Sequence, residues 1–111
     1  MKPKEFSYHF TDGDVETLLF TLSVLPELRM EESEAQAGIN AQLCASAIEK
    51  LMNRTGAFSL NEYRVATASL MAAKLILSGS LAVDKETITL CQKYALSINK
   101  LSQHFSAALE G

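Results

Sequence analysis

The chain has 111 residues, 48% of them hydrophobic and 21% charged, with 2 Pro, 5 Gly and a net charge of −3. That length suits one domain around one core, and the scarcity of Pro and Gly argues against disorder and against a loop-rich all-β fold. The charge is uneven: residues 1–34 carry three basic and eight acidic side chains, net −5, while the rest carries seven basic and five acidic, net +2. The basic face that nucleic-acid binding needs is therefore missing.

The chain opens on "MKPKEFSYHF", which has no apolar run behind its lysines and so does not read as a secretory signal. Within it Phe6, Tyr8 and Phe10 alternate with Ser7 and His9, a strand period. No second strand pattern follows, and a lone strand leaves its ladder groups unpaired. Residues 1–11 are thus expected to form a short extended arm. It lies on the helices, pairs with its counterpart in a dimer, or extends the first helix.

The first helix is expected over about 13–25. Thr11 or Asp12 caps it, Asp14 and Glu16 suit the positive end of its dipole, and Val15, Leu18, Leu19, Leu22 and Leu25 form one apolar stripe. Pro26 discourages helix at the residue before it. A second helix is expected over about 33–54, opened by Ser33 and Gln36 at capping-box spacing. Its stripe is Ala37, Ala41, Cys44, Ile48 and Leu51. Ser59 and Glu62 form another capping box and open a third helix over about 60–78, closed by Gly79. Asp84 caps the last helix, expected as one rod over about 85–109 with Ile88, Cys91, Ala95, Ile98, Ser102, Phe105 and Leu109 on its apolar side. Short connections imply antiparallel neighbours. The reading is an all-α single domain: a four-helix, up-down bundle with an extended N-terminal arm.

The stretch "VATASLMAAKLILSGSLAV", Val65–Val83, holds one charge, Lys74, in nineteen residues. A membrane-spanning helix needs about twenty mostly apolar residues. Here four Ser and Thr residues dilute the run, Gly79 interrupts it, and Lys74 would sit near the bilayer centre at about 2.5–3.5 kcal/mol. The stretch therefore reads as a helix enclosed by protein. A helix apolar nearly all round needs cover on every side, and a plain monomeric bundle leaves one side of each helix wet. This asymmetry predicts a homodimer.

The search for chemistry is short. His9 and His104 are the only histidines and lack the spacing of helix-borne metal ligands. "DGDVE" (Asp12, Asp14, Glu16) lacks the later glycine and glutamate of a calcium loop and reads as capping. "MEESE" (Glu31, Glu32, Glu34) precedes a helix start, where carboxylates favour the dipole. Ser46, Ser69 and Ser97 have no nucleophile elbow around them. Cys44 and Cys91 lie in helical patterns with no basic activator nearby and read as small buried hydrophobes in a reducing cytoplasm.

What remains is apolar and aromatic. The expectation is a non-enzymatic protein-interaction module, a small cytoplasmic homodimer serving as scaffold, adaptor or regulator, with room for a further protein partner. Its interface candidates are Phe6, Tyr8, Phe10, Phe105 and Leu109. The alternative is a carrier or sensor of a small apolar ligand held between helices three and four, with Tyr63, Met71 and Tyr94 lining the pocket. Neither reading calls for a cofactor, a metal, nucleic acid or a membrane.

Overall fold

The structure is a computed structural model that describes residues 11–28, 33–53 and 58–110, with side chains through residue 107. The aromatic arm residues Phe6, Tyr8 and Phe10 lie outside the described residues. Within them the chain is all-α: α1 (Asp12–Val24), a 3-10 turn (Leu25–Leu28), α2 (Glu34–Asn53), α3 (Leu60–Leu77), α4 (Lys85–Lys93) and α5 (Ala95–Glu110).

The helix ends follow the capping chemistry of the sequence. Thr11 caps α1: its hydroxyl accepts from the Asp14 N–H (3.1 Å), and the Asp14 carboxylate accepts from the Thr11 N–H (3.1 Å). Ser59 and Glu62 close the same reciprocal box at the start of α3. The Ser33–Gln36 box is only half made. The Gln36 N–H donates to Ser33 Oγ (3.1 Å), but the Gln36 amide donates forward to Asn40 (3.0 Å). Gly79, at φ 79°, ends α3 in a left-handed turn; its N–H donates to the Ile76 carbonyl (3.1 Å), and the Ser80 N–H donates to that of Leu75 (2.9 Å). That is the double closure for which a residue without Cβ is favoured.

The expected last helix is two helices. The chain turns at Tyr94, at φ −100° and ψ 11°, and this residue separates α4 from α5. No Pro or Gly marks the site. Tertiary contacts do: the Tyr94 hydroxyl donates to Glu16 (2.7 Å), and its ring packs on Phe20 at a centroid distance of 5.5 Å. The Tyr94 N–H still donates to the Leu90 carbonyl (3.1 Å) and its own carbonyl accepts from the Ile98 N–H (2.8 Å), so the axis bends while hydrogen bonding continues across it. The bundle thus has five α-helices among the described residues rather than four.

α3 lies at the centre and touches α1, the 3-10 turn, α2, α4 and α5. It runs antiparallel to α2, since Ser46 and Lys50 meet Glu62, and antiparallel to α5, since Tyr63 stacks edge-on with Phe105 (5.4 Å). The core is a continuous cluster of Leu18 and Leu22 from α1, Cys44, Ala47 and Leu51 from α2, Leu70 and Ile76 from α3, Cys91, and Ile98, Leu101 and Phe105 from α5. A hydroxyl pair crosses it, with Ser69 Oγ donating to Thr21 Oγ1 (3.0 Å). Burying these apolar faces is worth about 25 cal/mol per Å² removed from water, the main favourable contribution to the fold.

Candidate functional site

Two buried carboxylates tie the helices together. Glu62 accepts from the Ser59 N–H (2.7 Å), from the Ser46 hydroxyl, and from Lys50 Nζ (2.6 Å) across the α2–α3 gap. Asp14 accepts from the Thr11 N–H and from Lys100 Nζ (3.0 Å), joining α1 to α5. Burial alone would raise both carboxyls. The hydrogen bonds outweigh it, chiefly those from Lys50 to Glu62 and from Lys100 to Asp14, and both acids sit below their ordinary values. A general acid at neutral pH needs the opposite shift. These two carboxylates, each at the third position of a capping box, are staples between helices.

The Glu62 tie closes one end of the α2–α3 pair. Towards the other end α2 stands away from the body: every residue from Ser33 to Ile39 is exposed, and the buried residues of α2 (Cys44, Ala47 and Leu51) lie in its carboxyl-terminal half. The result is a cleft of ≈ 640 Å³ between the two helices. Gln36, Ile39, Asn40 and Leu43 of α2 form one wall at helical spacing. Arg64, Ala68, Met71 and Leu75 of α3 form the other, and Leu25 stops the end. Three large aliphatic side chains stand open there: Ile39 (51% exposed), Met71 (56%) and Leu75 (40%). Arg64 is the one charged residue in the lining, and it has no hydrogen-bond or ion-pair partner among the described residues.

The residues singled out in the sequence are dispersed. Phe105, expected at an interface, is fully buried in the chain's own core, edge-on to Tyr63 and to Phe58 (6.4 Å); its ring is already spent on internal packing. The Leu109 side chain, like the arm, is outside what the structure describes. The proposed pocket trio does not converge. Tyr63 belongs to the aromatic core, where burial pushes its phenol above its usual range. Tyr94 sits at the α4–α5 bend against Phe20, and Met71 alone faces the cleft. Tyr63, Leu70, Ile98, Leu101 and Phe105 belong to the packed core, and the cleft described above lies between helices two and three.

Other candidates are accounted for by structure. Asp12 and Asp14 open α1, and Glu16 accepts from Tyr94. Glu34 is exposed in the first turn of α2, with no partner among the described residues. Cys44 and Cys91 are buried free thiols, and burial raises the Cys91 thiol, which disfavours a thiolate. Among the described residues, no three His, Cys, Asp or Glu side chains gather as a metal site, and no helix is long and apolar enough to cross a membrane.

The residue that sequence reasoning missed is Ile39. It lies on the opposite side of α2 from the Ala41–Cys44–Ile48 stripe, and a large aliphatic residue opposite the core stripe was the available signal. No known protein family matches the chain, and no curated protein or solved structure gives a match.

Proposed function

We propose that the chain is a non-enzymatic protein-interaction module that works as a small homodimer, in the role of scaffold, adaptor or regulator. One observation carries this reading: the open apolar cleft between α2 and α3, walled by Ile39, Met71 and Leu75. Single exposed aliphatic residues are ordinary on a soluble surface, but a contiguous apolar patch rimmed by polar groups marks an association site. Gln36, Asn40, Asn61 and Arg64 supply that rim. The non-enzymatic part is supported by the use of the polar chemistry. The two buried carboxylates are held charged between helices, and both cysteines are buried free thiols.

The cleft volume also falls within the roughly 300–1,000 Å³ range of small-molecule sites. Its half-exposed walls favour a protein surface over a ligand, since small ligands are buried by about 70–90% in their sites. The deciding experiment is sedimentation equilibrium over 1–200 μM (about the range of a weak dimer), comparing the native chain with Leu75→Lys. The native chain is expected to approach twice 12.1 kDa, and Leu75→Lys to remain at the single-chain mass with an unchanged helical circular dichroism spectrum. A native chain that stays at single mass throughout, and a small apolar molecule co-purifying with it in native mass spectrometry, would replace the dimer reading with the carrier reading.

A further inference from the structure

We infer that α2 is a clasp: it opens from the body as one unit while α1, α3 and α5 stay packed, and the Ser46–Glu62–Lys50 cluster is the catch that holds it closed. The opening is a property of the single chain and does not depend on association.

α2 is the longest helix among the described residues, and it is thinly anchored. Three of its 20 residues are buried, Cys44, Ala47 and Leu51, against ten of 18 in α3 and six of 13 in α1. Two of those three are small, and Leu43 and Ile48 beside them are only half-buried. Resistance to local opening grows with the apolar surface that opening returns to water. Opening α2 therefore exposes far less per residue than opening either helix it packs on.

The other helices hold one another without α2. Ser69 and Thr21 join α3 to α1 (3.0 Å), Lys100 and Asp14 join α5 to α1 (3.0 Å), and the edge-on rings of Tyr63 and Phe105 join α3 to α5 (5.4 Å). None of these six residues belongs to α2, so its departure breaks none of these ties.

The catch is polar and local. Ser46 and Lys50 stand one turn apart on α2, and both donate to Glu62, Lys50 at 2.6 Å. Glu62 is also held from its own side by the Ser59 N–H (2.7 Å). When α2 leaves, that capping bond remains and water replaces the two α2 donors, so the carboxylate is not left charged in an apolar site. The Lys50 side chain, 34% exposed, is already part-hydrated when the clasp is closed. Release thus strands no buried charge. Deleting one α2 donor has the opposite effect, because the closed carboxylate is then a hydrogen bond short.

Native-state hydrogen exchange tests this on the full chain at fixed protein concentration. The amides of Cys44, Ala47 and Leu51 are expected to be about tenfold or more less protected than those of Ala66, Leu70 and Ala73. Their exchange should also depend more weakly on urea, as a sub-global opening does. Ser46→Ala, which alters only the catch, is expected to speed exchange of the α2 amides about tenfold or more. Phe105→Leu weakens a contact that survives in the open form. It should speed the α3 amides about tenfold and leave those of α2 within about twofold. Alkylation of Cys44, which is 1% exposed in the closed chain, should follow the α2 amides. If α2 and α3 exchange alike in the native chain, or Phe105→Leu speeds both equally, α2 opens only with the whole fold and the clasp is overturned. Ser46→Ala leaving α2 exchange and Cys44 alkylation unchanged overturns it as well, since Glu62 is then not the catch.

Discussion

Glu62 gives the sharpest test of how this fold is held. Its side chain is 3% exposed and receives three hydrogen bonds, from the Ser59 N–H, Ser46 and Lys50. Glu62→Gln keeps the shape and one acceptor oxygen but removes the charge. A hydrogen bond to a charged group is worth about 1.5–3 kcal/mol, and a capping interaction about 1 kcal/mol. The Lys50 side chain is 34% exposed, so the ion pair itself contributes under ~1 kcal/mol. Glu62→Gln should then lower stability by about 2 kcal/mol and the melting temperature by about 8 °C, while Lys50→Met should lower stability by only about 0.5–1 kcal/mol. Urea unfolding followed at 222 nm reads both.

The pH dependence supplies a second readout of the same residue. The Glu62 carboxyl sits below its ordinary value of 4.5 in the folded chain, and Asp14 below 3.8. As pH falls, the unfolded chain takes up these protons first. Their stabilisation is therefore complete above the ordinary values and is lost as pH falls through the lower, folded ones. The gap between native and Glu62→Gln proteins should narrow from pH 7 to pH 3. Lys50→Met costing as much as Glu62→Gln, or a gap independent of pH, would refute the account of a charged, hydrogen-bonded staple.

Phe105→Ala should cost about 3–5 kcal/mol by emptying the Phe58–Tyr63–Phe105 cluster; dissociation of a dimer with no loss of thermal stability would instead return Phe105 to the interface. Gly79→Ala should cost about 1 kcal/mol in urea unfolding, purely from its φ of 79°, because a Cβ there meets nothing within 4 Å. Tyr94→Phe removes the exposed hydrogen bond to Glu16 but keeps the ring on Phe20, so it should lower stability by under about 1 kcal/mol; a larger loss in the same titration would mean that the hydroxyl, not the ring, sets the bend.

Much of the fold was legible because its signals are local. Thr11, Ser59, Asp84 and Gly79 announce helix ends through bonds to residues at most five positions away. The periodic stripe of α1 identifies Leu18 and Leu22 as core by the same logic, whereas α3, apolar nearly all round, gave no sign of which of its residues stay open. The bend at Tyr94 was not legible, because the groups that hold Tyr94, the Phe20 ring and Glu16, come from α1 far away in sequence, and the stripe runs on unbroken from Cys91 to Ile98. The double role of Asp14 and Glu62 was half legible: capping is a spacing of three, whereas the pairing with Lys100 and Lys50 is tertiary. The site fared worst. Aromatic residues drew attention, yet aromatic rings are also the most profitable to bury, and Tyr63 and Phe105 went into the core.

The same contrast explains why the cleft opens where it does. The composition of α3 asks for cover all round, and the chain provides it on three sides: α1 over Ser69 and Leu70, α2 at Glu62, and α5 over Tyr63. α2 is buried at Cys44, Ala47 and Leu51, and the residues one and two turns before Cys44 on that stripe are alanines, too small to draw the helices together. Ala37 is fully exposed and Ala41 only half-buried. Each buried methylene contributes about 0.8 kcal/mol, so two alanines supply little of what a pair of leucines would. The amino-terminal half of α2 is left without an internal reason to pack. Yet its other side carries Ile39 and Leu43, the larger aliphatic side chains, and these face the uncovered Met71 and Leu75 of α3. Apolar bulk thus lies away from the chain's own core stripe and beside the side of the central helix that is left open among the described residues, which is the observation on which the proposed association rests.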